Sequence, residues 1–122
     1  MAAAQWATAV PFGVNSLAQA AAVASLRAEA DLLDRVDALV RQRSRVYEGL
    51  RAAGWTPPAS EGNFVWLALG ELTAEFAAKC GRAGLQVCVY AGDGVRVTVG
   101  EASANDILLR VAAELRPRGA TQ

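Results

Sequence analysis

Apolar and polar positions follow two different periods along this chain, and each change of period marks a new element. From Glu29 to about Ala53, Leu32, Leu33, Val36, Leu39, Val40, Val46, Tyr47 and Leu50 recur three and four residues apart, the spacing of one stripe on an α-helix. Asp31/Arg35 and Asp37/Arg41 stand at i,i+4 on the other side, where opposite charges can pair. Gly54 ends this helix. A shorter helix is predicted ahead of it, capped by Asn15 or Ser16 and running through Leu17, Ala21 and Ala24 to about Leu26, after an extended stretch at Pro11.

Beyond Pro57-Pro58 the period shifts to two. Asn63 to Leu69 reads as a strand whose two faces, Phe64/Trp66/Ala68 and Val65/Leu67/Leu69, both look buried. Thr73 is placed to cap a third helix through Phe76 and Cys80 that closes near Gly84, and Leu85 to Val89 reads as a second strand. Tyr90-Ala-Gly-Asp-Gly94 then forms a glycine-rich hairpin turn into a third strand. Ser103-Ala-Asn-Asp106 resembles a capping box for a last helix carrying Ile107, Leu108, Val111 and Leu115, which Pro117 stops. The order α-α-β-α-β-β-α predicts an α+β fold: a small, largely antiparallel three-stranded sheet covered by helices.

Composition narrows the function classes. With 122 residues, 53% of them hydrophobic and 20% charged, the chain is large enough for one core. Twelve basic and twelve acidic residues cancel, so there is no electrostatic footprint for nucleic acid or an anionic membrane surface. The apolar run around Ala20 to Ala24 is too short to cross a bilayer, and no basic segment precedes an apolar one at the N-terminus. A cytoplasmic protein is expected. Cys80 and Cys88 lack metal-ligand spacing, and the chain has no histidine; both thiols are read as reduced core or near-core positions. Arg41, Arg43 and Arg45 are interleaved with acids and read as a solvated face. Gly92-Asp-Gly94 opens no helix and so is no phosphate loop.

The chemistry concentrates in Gly92-Asp-Gly-Val-Arg-Val-Thr-Val-Gly100. Val95, Val97 and Val99 share one face of that strand while Arg96 and Thr98 share the other. Two readings of Arg96 stand side by side. It is the wet face of an edge strand, or its planar fork of donors clamps a carboxylate or phosphate.

Four segments in order, Val10-Pro-Phe-Gly-Val-Asn-Ser-Leu-Ala-Gln-Ala-Ala-Ala-Val-Ala-Ser-Leu26, Leu50-Arg-Ala-Ala-Gly-Trp55, Glu61-Gly-Asn-Phe-Val-Trp-Leu67 and the Arg96 strand, carry a resemblance to the C-terminal part of fold type I, pyridoxal-phosphate-dependent aminotransferases. The resemblance is to the class I/II histidinol-phosphate and aromatic amino acid branch. It implies that residues 10–116 are the small domain, with residues 1–9 unassigned and 117–122 a tail. It further implies that Arg96 grips the substrate's acidic group, usually the α-carboxylate, and that Asn63 starts a strand near the active site, although an asparagine there is also a common local backbone partner. The implied activity is transamination of histidinol phosphate or an aromatic amino acid with a 2-oxo acid, in amino acid biosynthesis.

Such an enzyme needs a lysine for the cofactor aldehyde. Lys79 is the only lysine and reads as a surface residue on the third helix. The family's lysine belongs to a large domain expected upstream of Val10, so the chain alone is expected to bind no pyridoxal phosphate and to be inactive. The missing large domain or a homodimer partner is the implied companion. Close relatives usually carry arginine where this chain has Cys88, which weakens the histidinol-phosphate assignment. A stand-alone binding module for an amino acid or keto acid, and a non-functional truncation product, remain the alternatives.

Overall fold

Strand alternation organises the structure around its third strand. In the computed structural model, which describes residues 13–115, Val95 and Val97 are buried and Arg96 and Thr98 are exposed. The elements are α1 (Ser16–Arg27), α2 (Glu29–Ala52), β1 (Phe64–Ala68), a 3-10 turn (Gly70–Leu72), α3 (Thr73–Arg82), β2 (Cys88–Tyr90), β3 (Gly94–Thr98) and α4 (Ala102–Glu114). This is the predicted α+β class and order. The expectations for residues 1–9, Val10, Pro11, Pro117 and the 117–122 tail lie outside the described residues.

The sheet order is β1-β3-β2, antiparallel throughout. Phe64 pairs with Thr98, Trp66 with Arg96 and Ala68 with Gly94 on one side, and Cys88 with Arg96 and Tyr90 with Gly94 on the other. β3 is therefore the central strand, which corrects the edge-strand reading of Arg96. β2 is the edge. Its ladder is only Cys88–Tyr90 and not 85–89, because Leu85 and Val87 pack against the core without a strand partner.

The described residues divide into two compact units, one up to Arg35 and one from Val36. In the second unit, Val65, Leu67, Val95 and Val97 of the sheet share a core with Val46 and Leu50 of α2, Phe76 and Cys80 of α3, and Leu108 and Val111 of α4. Each large apolar side chain buried there contributes about 1.5–3 kcal/mol. Trp55 meets Phe76 edge-on, ring centroids 6.2 Å apart, and donates its indole N–H to the Ala112 carbonyl at 2.9 Å. The hydrogen bond lets a residue with a polar atom occupy the core.

The sheet has one buried face and not two: Val65 and Leu67 are buried, Phe64 and Trp66 half-buried and Ala68 exposed. In the first unit, α1 buries no residue, and Leu17 (81% exposed), Leu26 and Leu33 present the predicted stripe to solvent. Val36 and Val40, which open the α2 stripe in the second unit, are exposed as well. Only Val46 and Leu50 of α2 are buried. Periodicity identified a helix face but could not say that nothing among the described residues covers its first half.

Helix ends follow backbone geometry more than side-chain caps. Asn15 does cap α1, its side-chain oxygen accepting from Ala18 N at 2.9 Å. Gly54 (φ 90°) and Gly84 (φ 83°) adopt the left-handed conformation, letting Trp55 N and Leu85 N bond back to Leu50 O and Cys80 O. Thr73, by contrast, is not an N-cap. The 3-10 turn leads directly into α3, and the Thr73 hydroxyl donates to Gly70 O at 2.6 Å. The Ser103 capping box is also absent: Glu101 takes the cap position without a side-chain bond. Buried Asn105 instead reaches back to Gly100, accepting from its N–H and donating to its carbonyl, and donates to Gln42.

Gly94 marks the tightest point of the sheet. A methyl group there would overlap the Leu67 carbonyl oxygen and lie 2.9 Å from Trp66 Cζ2. Because the first contact is backbone in a paired strand, Gly94→Ala is expected to lower stability by about 1–3 kcal/mol, read as a reduced urea midpoint with unchanged slope.

Candidate functional site

The outer face of the sheet gathers polar and aromatic side chains around one guanidinium. Arg96 sits mid-strand on β3, flanked in register by Trp66 of β1 and Cys88 of β2. Its guanidinium carbon lies 5.5 Å from the centroid of the Phe64 ring, an arrangement in which the ring's negative face attracts the cation. Trp66 and Tyr90 meet edge to face at 5.4 Å. Among the described residues Arg96 makes no ion pair and no side-chain hydrogen bond, so its donors face solvent. That exposure is what the wet-face reading expected.

Two arginines of α2 behave differently. Arg43 bonds Glu61 at 2.7 Å and the Gly62 carbonyl at 3.3 Å. Arg45 bonds Asp106 at 2.7 Å and also reaches Gln42 and the Ala102 carbonyl. These two tie α2 to the segment before β1 and to the start of α4, which corrects their reading as a solvated face. Among the described residues the ion pairs are these two and Lys79–Glu114, not the expected Asp31/Arg35 and Asp37/Arg41. A cleft of about 250 Å³ beside Arg43 also includes Glu48, Arg51 and Glu61, so its charges offset each other.

Asn63 lies exposed just ahead of β1, and its carbonyl accepts from Val99 N at 2.8 Å. By strand parity it belongs with Val65, not with Phe64 and Trp66; the structure gives it a backbone role and does not bring it onto the Arg96 face. Cys88 is an exposed free thiol, not a core position, while Cys80 is buried as expected. The aromatic surroundings of Arg96 were missed in the sequence, because only the β1–β3 register places Phe64 and Trp66 beside it.

The family profile "Aminotransferase class I and II" matches residues 1–113. The chain belongs to the class I and II aminotransferases. It is 60% identical over 116 residues to an aromatic amino acid aminotransferase of Streptomyces coelicolor, covering 95% of this chain and 32% of that protein. A Streptomyces avermitilis protein of the same name is 61% identical, with the same coverage. The fold is similar to a crystal structure from Burkholderia pseudomallei assigned as an aminotransferase, with a TM-score of 0.72, 26% identity, and coverage of 92% of this chain and 36% of that one. This aminotransferase chain thus spans about a third of the length of the curated relatives it matches.

Pyridoxal phosphate, generally used by aminotransferases, does not fit the described residues. Its aldehyde needs a free amine, yet Lys79 lies on α3, its ammonium 3.5 Å from the Glu114 carboxylate. α3 packs on the inner face of the sheet through Phe76 and Cys80, opposite the face that carries Arg96. Among the described residues no cluster of histidine, cysteine, aspartate or glutamate could hold a metal, and no helix is long and apolar enough to cross a membrane.

Burial pushes the Cys80 thiol up from its ordinary 9.0 to about 11, since desolvation disfavours the thiolate. Between those values the unfolded chain releases a proton that the folded chain keeps, so stability falls as pH rises from 9 to 11. Urea titrations across that range are expected to show this loss, and Cys80→Ala, though less stable at neutral pH, is expected to show a smaller one.

Proposed function

We propose that residues 10–116 form the C-terminal small domain of an aminotransferase and that Arg96 binds the acidic group of its amino acid or 2-oxo acid substrate. The single observation that supports this most is the placement of Arg96 mid-way along the central strand of the sheet, with its fork in no ion pair among the described residues. A bidentate fork holds a carboxylate in one orientation, and fixed orientation is what a positioning residue contributes to transamination. Cofactor chemistry is assigned to a large domain of the kind the longer relatives have room for, and this chain alone is read as inactive.

Substrate class follows from two supports. The relatives are named for aromatic amino acids, and Cys88 supplies no second cation beside Arg96 for a dianionic phosphate. An aromatic amino acid is therefore preferred over histidinol phosphate. The exposed apolar residues of α1 and early α2 are read as surface for a large domain or for a second copy, because exposed apolar surface often marks contacts.

Two outcomes are expected. NMR titration of the chain with phenylpyruvate, followed by the backbone amides of β1 and β3, should give millimolar affinity, weakened about ten- to a hundredfold by Arg96→Ala as charged hydrogen bonds are lost; unchanged affinity in the variant would reject the role. Replacing Leu17 and Leu26, both largely exposed, by glutamate should reduce concentration-dependent association in sedimentation while leaving the unfolding free energy within about 0.5 kcal/mol.

A further inference from the structure

We infer that Trp66 and Tyr90 are specificity-determining residues, a ring-binding wall beside Arg96 that selects acids carrying an aromatic group. The inference rests on the reading of Arg96 as an acid-binding residue, and it adds which atoms of this chain recognise the rest of the ligand. Directly opposed residues on one face of an antiparallel pair stand about 4.5–5.5 Å apart at Cβ, and Trp66 is directly opposite Arg96. Tyr90 comes from the other neighbouring strand, opposite Gly94, and its ring reaches across β3 to meet Trp66 edge-on at 5.4 Å.

Gly94 makes that crossing possible. With no side chain at the position between Ala68 and Tyr90, the Trp66 ring settles over the strand, where a methyl group would lie 2.9 Å from its Cζ2. The ring is thereby held by a neighbour and by bare backbone while remaining only half-buried. Tyr90 is 43% exposed. Phe64 takes a different part, lying under the guanidinium and limiting where its fork can point. The face therefore offers a planar cation beside a fixed aromatic pair, which matches a ligand whose carboxylate and ring are separated by a short chain. Offset and edge-on ring contacts favour an aromatic over an aliphatic ligand by about two- to tenfold.

The test uses the 122-residue chain and three probes followed by NMR: 3-phenylpropionate, 4-methylpentanoate and uncharged 3-phenylpropanol. The aromatic acid is expected to bind about two- to tenfold more tightly than the aliphatic acid and to shift one exposed indole N–H signal. Trp66→Leu is expected to bring the two acids to equal affinity with the aliphatic acid unaffected, and Trp66→Phe to restore part of the difference. Arg96→Ala should weaken both acids. Equal affinities in the unmodified chain, or a preference that survives Trp66→Leu, overturn the wall and leave Arg96 standing. Binding of neither acid overturns both readings. Tighter binding of the alcohol than of the aromatic acid rejects the Arg96 role and, with it, the selection of acids. Should Trp66→Leu fail to fold, Tyr90→Leu on the edge strand provides the same comparison, and an undiminished preference there overturns the wall.

Discussion

Everything in the second unit depends on one strand being two-sided. β3 lies between β1 and β2, so its backbone donors and acceptors are used on both edges, and its side chains have only the two faces left to occupy. Val95 and Val97 close the core on one face, which leaves Arg96 and Thr98 no option but the other. A one-residue slip would bury the guanidinium and expose the valines. The desolvation cost of an unpaired buried charge makes such a slip prohibitive. The position of Arg96 is thus dictated by core formation, and its availability to a ligand follows from the same constraint.

The fold was largely legible because it is written in local periods. Gly54 and Gly84 announced helix ends that the backbone then used, and Tyr90 to Gly94 announced the hairpin that β2 and β3 form. Side-chain caps were less reliable guides. Thr73 and Ser103 have the right chemistry, but a preceding 3-10 turn and the inward-turned Asn105 met the local hydrogen-bonding needs first. Arg43 and Arg45 look like solvated charges in sequence, since their acceptors, Glu61 and Asp106, lie 18 and 61 residues away.

The candidate site was legible in one residue only. Arg96 stands out in any valine-rich strand, whereas its neighbours on the sheet come from segments that only register brings together. Central rather than edge placement was likewise invisible, because strand order is a property of non-local pairing. Family membership added the likeness to aromatic amino acid aminotransferases; the aromatic character of the face came from the pairing itself.

α2 runs over 24 residues, yet its two ends have different footing. Val46 and Leu50 near its C-terminal end are fully enclosed, while Leu32, Leu33, Val36 and Val40 are exposed over roughly half of their surface. A helix gains most of its stability from tertiary packing. Its early turns can therefore unwind by local fraying while the late turns melt only with the core, so persistence is graded along its sequence.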